Sequence, residues 1–153
     1  MSAPISPEYP NEYSRMILAA QDSDDLTILS ARLQDAAAKL GDFVWLPGRH
    51  RFAGIVNRLK WEEGGRQRVR AGLHFDDVLA VKSHNVKLGA KDAVVSILAV
   101  TFAPHAVDDP AGVIEIVLAG GGAIRLEVEC IAAELSDLTQ PWAARGTPDH
   151  EKS

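Results

Sequence analysis

Ten of the sixteen lysines and arginines fall between Arg49 and Lys91, where only Glu62, Glu63, Asp76 and Asp77 oppose them. Positive charge concentrated in this way binds carboxylates or phosphates, weakens with salt, and discriminates little between sequences. The spacing adds direction: Arg66, Arg68 and Arg70 recur at every second residue, with Val69, Ala71, Leu73 and Phe75 on the other parity. Residues of one parity share a face of a strand, so the arginines project together, away from the apolar set. A turn at residues 62–65 brings Arg58 and Lys60 of a partner strand beside them, and one more strand of the same meander adds His74, Lys82 and His84. The expected partner-binding face is therefore Arg58, Lys60, Arg66, Arg68, Arg70 and Lys82, directed at an acidic protein or RNA. Trp61 and Phe75 lie on the apolar parity, so no aromatic platform for stacking bases is evident. The plainer alternative is a solvated outer face whose arginines are balanced by acids from elsewhere.

Other chemistry finds less support. His50, His74, His84, His105 and His150 are scattered, with no pair at helical ligand spacing and no cysteine cluster, so neither a metal nor a cofactor is expected. His74 and Asp76 could share a face and exchange a proton, although Asp76 and Asp77 are better explained as turn residues. The lone Cys130 sits in an apolar strand context, where an inert buried thiol is the default, and no glycine-framed serine is present. Gly120, Gly121 and Gly122 are followed by neither Lys-Ser nor Lys-Thr and open no helix, so they are not a phosphate loop. Glu115, Arg125, Glu127 and Glu129 alternate with apolar residues and read as solvated ion pairs rather than an acid–base pair. No catalytic residue is expected, and the chain leans away from being an enzyme.

These residues must be held by a few elements. Asp22 to Asp25 supply an N-cap and the negative charge that a helix start favours, and Leu26, Leu29, Leu33, Ala36 or Ala37, and Leu40 recur at helical spacing. One amphipathic helix is expected over residues 23–40, closed by Gly41 in a left-handed conformation. A first strand is expected at residues 15–21. From Phe43 the period changes to short strands at 43–46, 51–61, 66–75, 78–83, 93–102, 113–118 and 124–128, with a type II turn at Pro47 and Gly48 and a glycine hairpin at 120–122. The run 93–102 is apolar on both parities and reads as a strand covered on both faces. Beyond Val128 the chain continues as a strand or turns into a short helix.

The expected fold is α+β: a mainly antiparallel, strongly curved sheet or partly open barrel of seven or eight strands with one N-terminal helix, of which a pleckstrin-homology-like barrel is one form. Residues 1–13, with three prolines, read as a flexible extension, residues 14–138 as one globular domain, and residues 139–153 as a tail, mobile or docked, that carries Trp142. A single cysteine, no export signal and no apolar run near the roughly 20 residues of a membrane span point to the cytoplasm. The function that follows is a non-enzymatic binding or accessory module. The alternatives are a small-ligand-binding protein or enzyme with a pocket inside the curved sheet, and a homo-oligomer formed through an open sheet edge or the Trp142 tail.

Several stretches resemble one family. Leu33-Gln34-Asp35-Ala36, Lys39-Leu40-Gly41-Asp42, Arg51-Phe52-Ala53, Leu73-His74-Phe75-Asp76 with Val81-Lys82-Ser83, and the run from Ala119 to Cys130 are similar to the alphaproteobacterial domain-of-unknown-function family 2948, over residues 15–150. The resemblance implies a small stand-alone protein and carries no activity, cofactor or catalytic residue onto these positions.

Overall fold

The computed structural model describes residues 15–139, 142 and 143. The expected extension at residues 1–13 and most of the tail lie outside the described residues. Strand β1, Ile17–Ala20, leads into helix α1, Ser23–Leu33. Asp22 is extended and its Oδ1 accepts the Asp25 N–H at 2.8 Å, while Asp25 Oδ2 accepts the Gln21 N–H at 3.1 Å, a reciprocal cap that satisfies two orphan donors. Leu26, Leu29 and Leu33 form the buried stripe.

The helix stops seven residues before the expected end at residue 40. Asp35 takes a left-handed conformation, φ 63°, and its N–H donates to the Ile97 carbonyl at 2.8 Å. The alanines that follow favour helix intrinsically, yet Ala37–Lys39 is a strand, β2, because it fills the place between β4 and β7 in the sheet. Gly41 is not the left-handed terminator. A Cβ there would lie 2.9 Å from Lys91 Cβ, so its role is close approach of two chain segments.

The remaining strands are β3 Phe43–Leu46, β4 Arg51–Leu59, β5 Gln67–Phe75, β6 Val78–His84, β7 Val94–Pro104, β8 Gly112–Leu118, β9 Ala123–Val128, β10 Ala133–Asp137 and the short β11 Trp142–Ala143. All the pairings among them are antiparallel. They form one sheet of order β1-β10-β5-β4-β2-β7-β8-β9-β6, with β3 on β4 and β11 on β5. The sheet is not closed, since β1 and β6 end the path without pairing with each other. Its strands exceed the expected seven or eight because β2, β10 and β11 are short pieces that pair over long sequence distances. Beyond Val128, where the sequence left strand and helix open, the chain leaves β9 and forms a separate strand, β10, between β1 and β5.

One face of the sheet and α1, which packs against β1, β4 and β7, enclose the core. Leu29 and Leu33 meet Phe75, Leu73, Ile97, Ile114, Ile116, Leu118, Ile124, Leu126 and Leu135 there, all essentially without solvent access. Two local expectations are corrected. Pro47 and Gly48 form a 3-10 turn, Pro47–Arg49, in which His50 rather than glycine is left-handed, φ 53°. Strand β7 is covered on one face only: Ile97 and Val100 are buried, whereas Val94 and Leu98 are exposed. The glycine hairpin is as expected, with Gly120 and Gly121 at φ 91° and 95° between β8 and β9. Among the described residues, no helix is long and apolar enough to cross a membrane.

Candidate interaction face

The six cations expected on one face are divided by the structure. Strand β4 pairs with β5 in a register that sets Arg58 opposite Val69, and cross-strand partners share a face, so Arg58 points into the core with the apolar residues. There it is fully buried and uses all five guanidinium N–H groups. Its Nε donates to Asp137 Oδ1 at 2.9 Å and Nη2 to Asp137 Oδ2 at 3.0 Å. Nη1 and Nη2 donate to Glu62 Oε1 and Oε2 at 3.1 and 2.8 Å, and Nη1 also to the Leu59 carbonyl at 3.1 Å. Asp137 is equally buried and accepts the Met16 N–H at 3.1 Å, so the cluster fastens β1, β4 and β10 together. Burial opposes ionisation of Glu62, but the hydrogen bonds from Arg58 and from its own backbone outweigh it and hold the carboxyl below the usual range. Burial likewise opposes the charge on Arg58, and the bonds to Glu62 and Asp137 overcome it, raising its affinity for the proton. Lys60 is buried too, its ammonium 3.3 Å from Glu63. Neither Arg58 nor Lys60 is available to a partner, which corrects their expected place.

Lys82 also leaves the group. Strand β6 does not continue the β4–β5 meander; it pairs with β9, where Lys82 lies opposite Arg125 on the other half of the sheet. His84 moves with it.

What remains together on the outer face is Arg68 and Arg70 of β5, with Arg66 exposed just before the strand. Arg68 Nη1 donates to the Asn57 carbonyl at 2.9 Å, and Arg70 Nε to Asn57 Oδ1 at 3.4 Å. Burial lowers the proton affinity of Arg68, partly offset by the charge of Asp35. Among the described residues, no carboxylate lies within 4.0 Å of the cationic groups of Arg66, Arg68 or Arg70. Two residues that the sequence did not place on this face join them. Lys39 of β2 and Arg70 line a cleft of about 340 Å³ floored by Ala37, Ile55 and Val94. Trp142 pairs with Arg68 across the β5–β11 ladder, which places an exposed indole on the arginine face that lacked an aromatic. The signal for Trp142 was its position in a strand-length apolar island after Pro141, but nothing local gave its partner.

Residues 16–150 match the family described as "Protein of unknown function (DUF2948)". The chain belongs to DUF2948. Comparisons with curated proteins and with solved structures gave no match.

Elsewhere in this DUF2948 protein, several titratable groups are committed to local contacts. Arg51 Nε bonds Asp76 Oδ1 at 2.7 Å, and His74 bridges the strands with Nδ1 3.4 Å from Asp76 Oδ2 and Nε2 3.5 Å from Glu134 Oε1. His105 contacts Glu127, and Arg125 Nε donates to Glu115 Oε2 at 2.9 Å. The Cys130 thiol donates to Asp77 Oδ2 at 3.3 Å, and burial together with that carboxylate pushes it up, which keeps it protonated and poorly nucleophilic. Among the described residues, no group of three or more His, Cys, Asp or Glu side chains could hold a metal ion.

Proposed function

We propose that this DUF2948 protein is a non-enzymatic binding module that holds an acidic protein on the outer sheet face through Arg66, Arg68 and Arg70, with Lys39 and Trp142 beside them. The observation that carries this reading is the division of the cations. Arg51, Arg58, Lys60 and Arg125 each have a carboxylate at ion-pair distance; Arg66, Arg68 and Arg70, like the exposed Arg49, Lys82, Lys87 and Lys91, have none among the described residues, but the three arginines alone follow one another at every second residue on or beside one strand. A protein partner suits the surface better than RNA, because Lys39, Arg70 and the carboxylate of Asp42 surround an apolar floor of Ala37, Ile55 and Val94, and arginine and tryptophan around apolar contacts is the composition of protein interfaces. The inner face is occupied by packed leucines, isoleucines and Phe75, which argues against a ligand pocket inside the curve.

Fluorescence anisotropy at low salt, with a labelled polyglutamate decapeptide and an oligouridylate as probes, tests this. Wild type is expected to bind polyglutamate in a salt-dependent way and the variant Arg66→Glu, Arg68→Glu, Arg70→Glu to lose it. Equal binding by the variant refutes the basic face, and preference for oligouridylate replaces the acidic protein with RNA.

A further inference from the structure

The outer face carries, beside its arginines, a row of large aliphatic side chains that the core does not use. Register places Ile17 opposite Ser136, Ser136 opposite Gly72, and Gly72 opposite Ile55, one line across β1, β10, β5 and β4. Leu138 lies over Gly72, whose added Cβ would meet Leu138 Cδ1 at 3.7 Å. The same cleft that holds Ile55 continues the line through Lys39 of β2 to Val94 of β7. Ile17, Leu138, Ile55 and Val94 are 64, 46, 37 and 66% exposed. Exposed aliphatics are ordinary when scattered, but these four lie along one line across the sheet, with Ser136 and Lys39 between them, and such a gathering marks an interaction site.

Resting on the binding-module reading, we infer that this row seats an acidic amphipathic helix of a partner protein, laid across the strands with its negative flank toward Arg68 and Arg70. Three observations converge on a helix. An extended segment crossing the face of a sheet finds no backbone partners there, and its N–H and C=O groups would lose water without replacement, whereas a helix satisfies its own. From β1 to β7 the row crosses five strand spacings, roughly 24 Å, which matches about 16 residues of helix. The positive charge is one-sided: Arg68 and Arg70 lie on one flank of the row, the other flank carries His74, already placed between Asp76 and Glu134, and Asp42 adds a carboxylate to the cleft. The occupant is not α1 of a second copy, because Leu26, Leu29 and Leu33 are buried in their own core.

The test uses two synthetic peptides of about 16 residues and one composition, the first with leucines at helical spacing and glutamates on one flank, the second with the two alternating. Binding is read by anisotropy and peptide conformation by circular dichroism. The first peptide is expected to bind at least ~10-fold more tightly than the second and to become helical on binding. The variant Ile55→Thr, Val94→Thr, at exposed strand positions where threonine is well tolerated, should weaken that binding by ~10-fold or more. The same variant should weaken polyglutamate binding far less than it weakens binding of the first peptide, because polyglutamate has no apolar side chains to seat on Ile55 and Val94. Equal binding of both peptides, no binding of the first, a bound peptide that stays non-helical, or an indifferent threonine variant overturns the helix. Each does so without touching the basic face, whose failure shows separately as polyglutamate binding that survives reversal of the arginines.

Discussion

Removing the Asp137 carboxylate would leave the Arg58 guanidinium buried with two of its five acceptors gone. A buried charge that loses a partner typically costs about 3–5 kcal/mol, far more than a surface pair is worth. Urea denaturation of Asp137→Ala should show a loss of that order. The double variant Arg58→Met, Asp137→Leu should lose less, because it removes both charges and fills the space with apolar atoms. Glu62 gives the cluster a pH dependence. Its folded carboxyl lies below the unfolded value of about 4.3, so the ionised group stabilises the fold above that value, and the contribution disappears as pH falls through the folded value. Stability measured downward from about pH 5 should therefore fall less steeply in Glu62→Gln than in wild type.

At the scale of elements, Asp35 is the sharpest test of why α1 ends where it does. A non-glycine residue in the left-handed region costs roughly 1 kcal/mol, so Asp35→Gly should raise the thermal midpoint and Asp35→Val should lower it. The helix start was legible in sequence because a cap is local chemistry: Asp22 and Asp25 act within four residues of each other. Its end was not, since Ala37 becomes strand through Asn57 and Ser96, partners 20 and 59 positions away. Parity was partly legible. A four-residue turn at 62–65 already sets Arg58 against Val69, and the register confirms that arithmetic, which puts Arg58 inside rather than beside the outer arginines. What no local pattern offered was Asp137, 79 positions from Arg58, to satisfy it there. Lys82 was misplaced for a similar reason: a short turn at Asp76 and Asp77 suggests a hairpin, yet β6 finds β9 instead of β5.

For the whole molecule, the consequence is a chain of net charge -5 whose central cations lie at different depths, with others, such as Lys82 and Arg125, exposed on the other half of the sheet. Some are sunk into the fold as structural clamps, and a few are left on one outer face with a neighbouring aliphatic row. The alternation of Arg66, Arg68 and Arg70 announced that face, while Lys39, Trp142 and the row itself appear only once distant strands are assembled. Backbone amide shift mapping with polyglutamate at low salt examines the face as a unit. The shifts should cluster on Lys39, Asn57, Arg68 and Arg70, include the Trp142 indole N–H, and fade as salt rises over the range that screens exposed charges. Shifts centred on Lys82 and Arg125, or spread evenly over the lysines and arginines of the surface, would show that the outer arginine face is not the binding site.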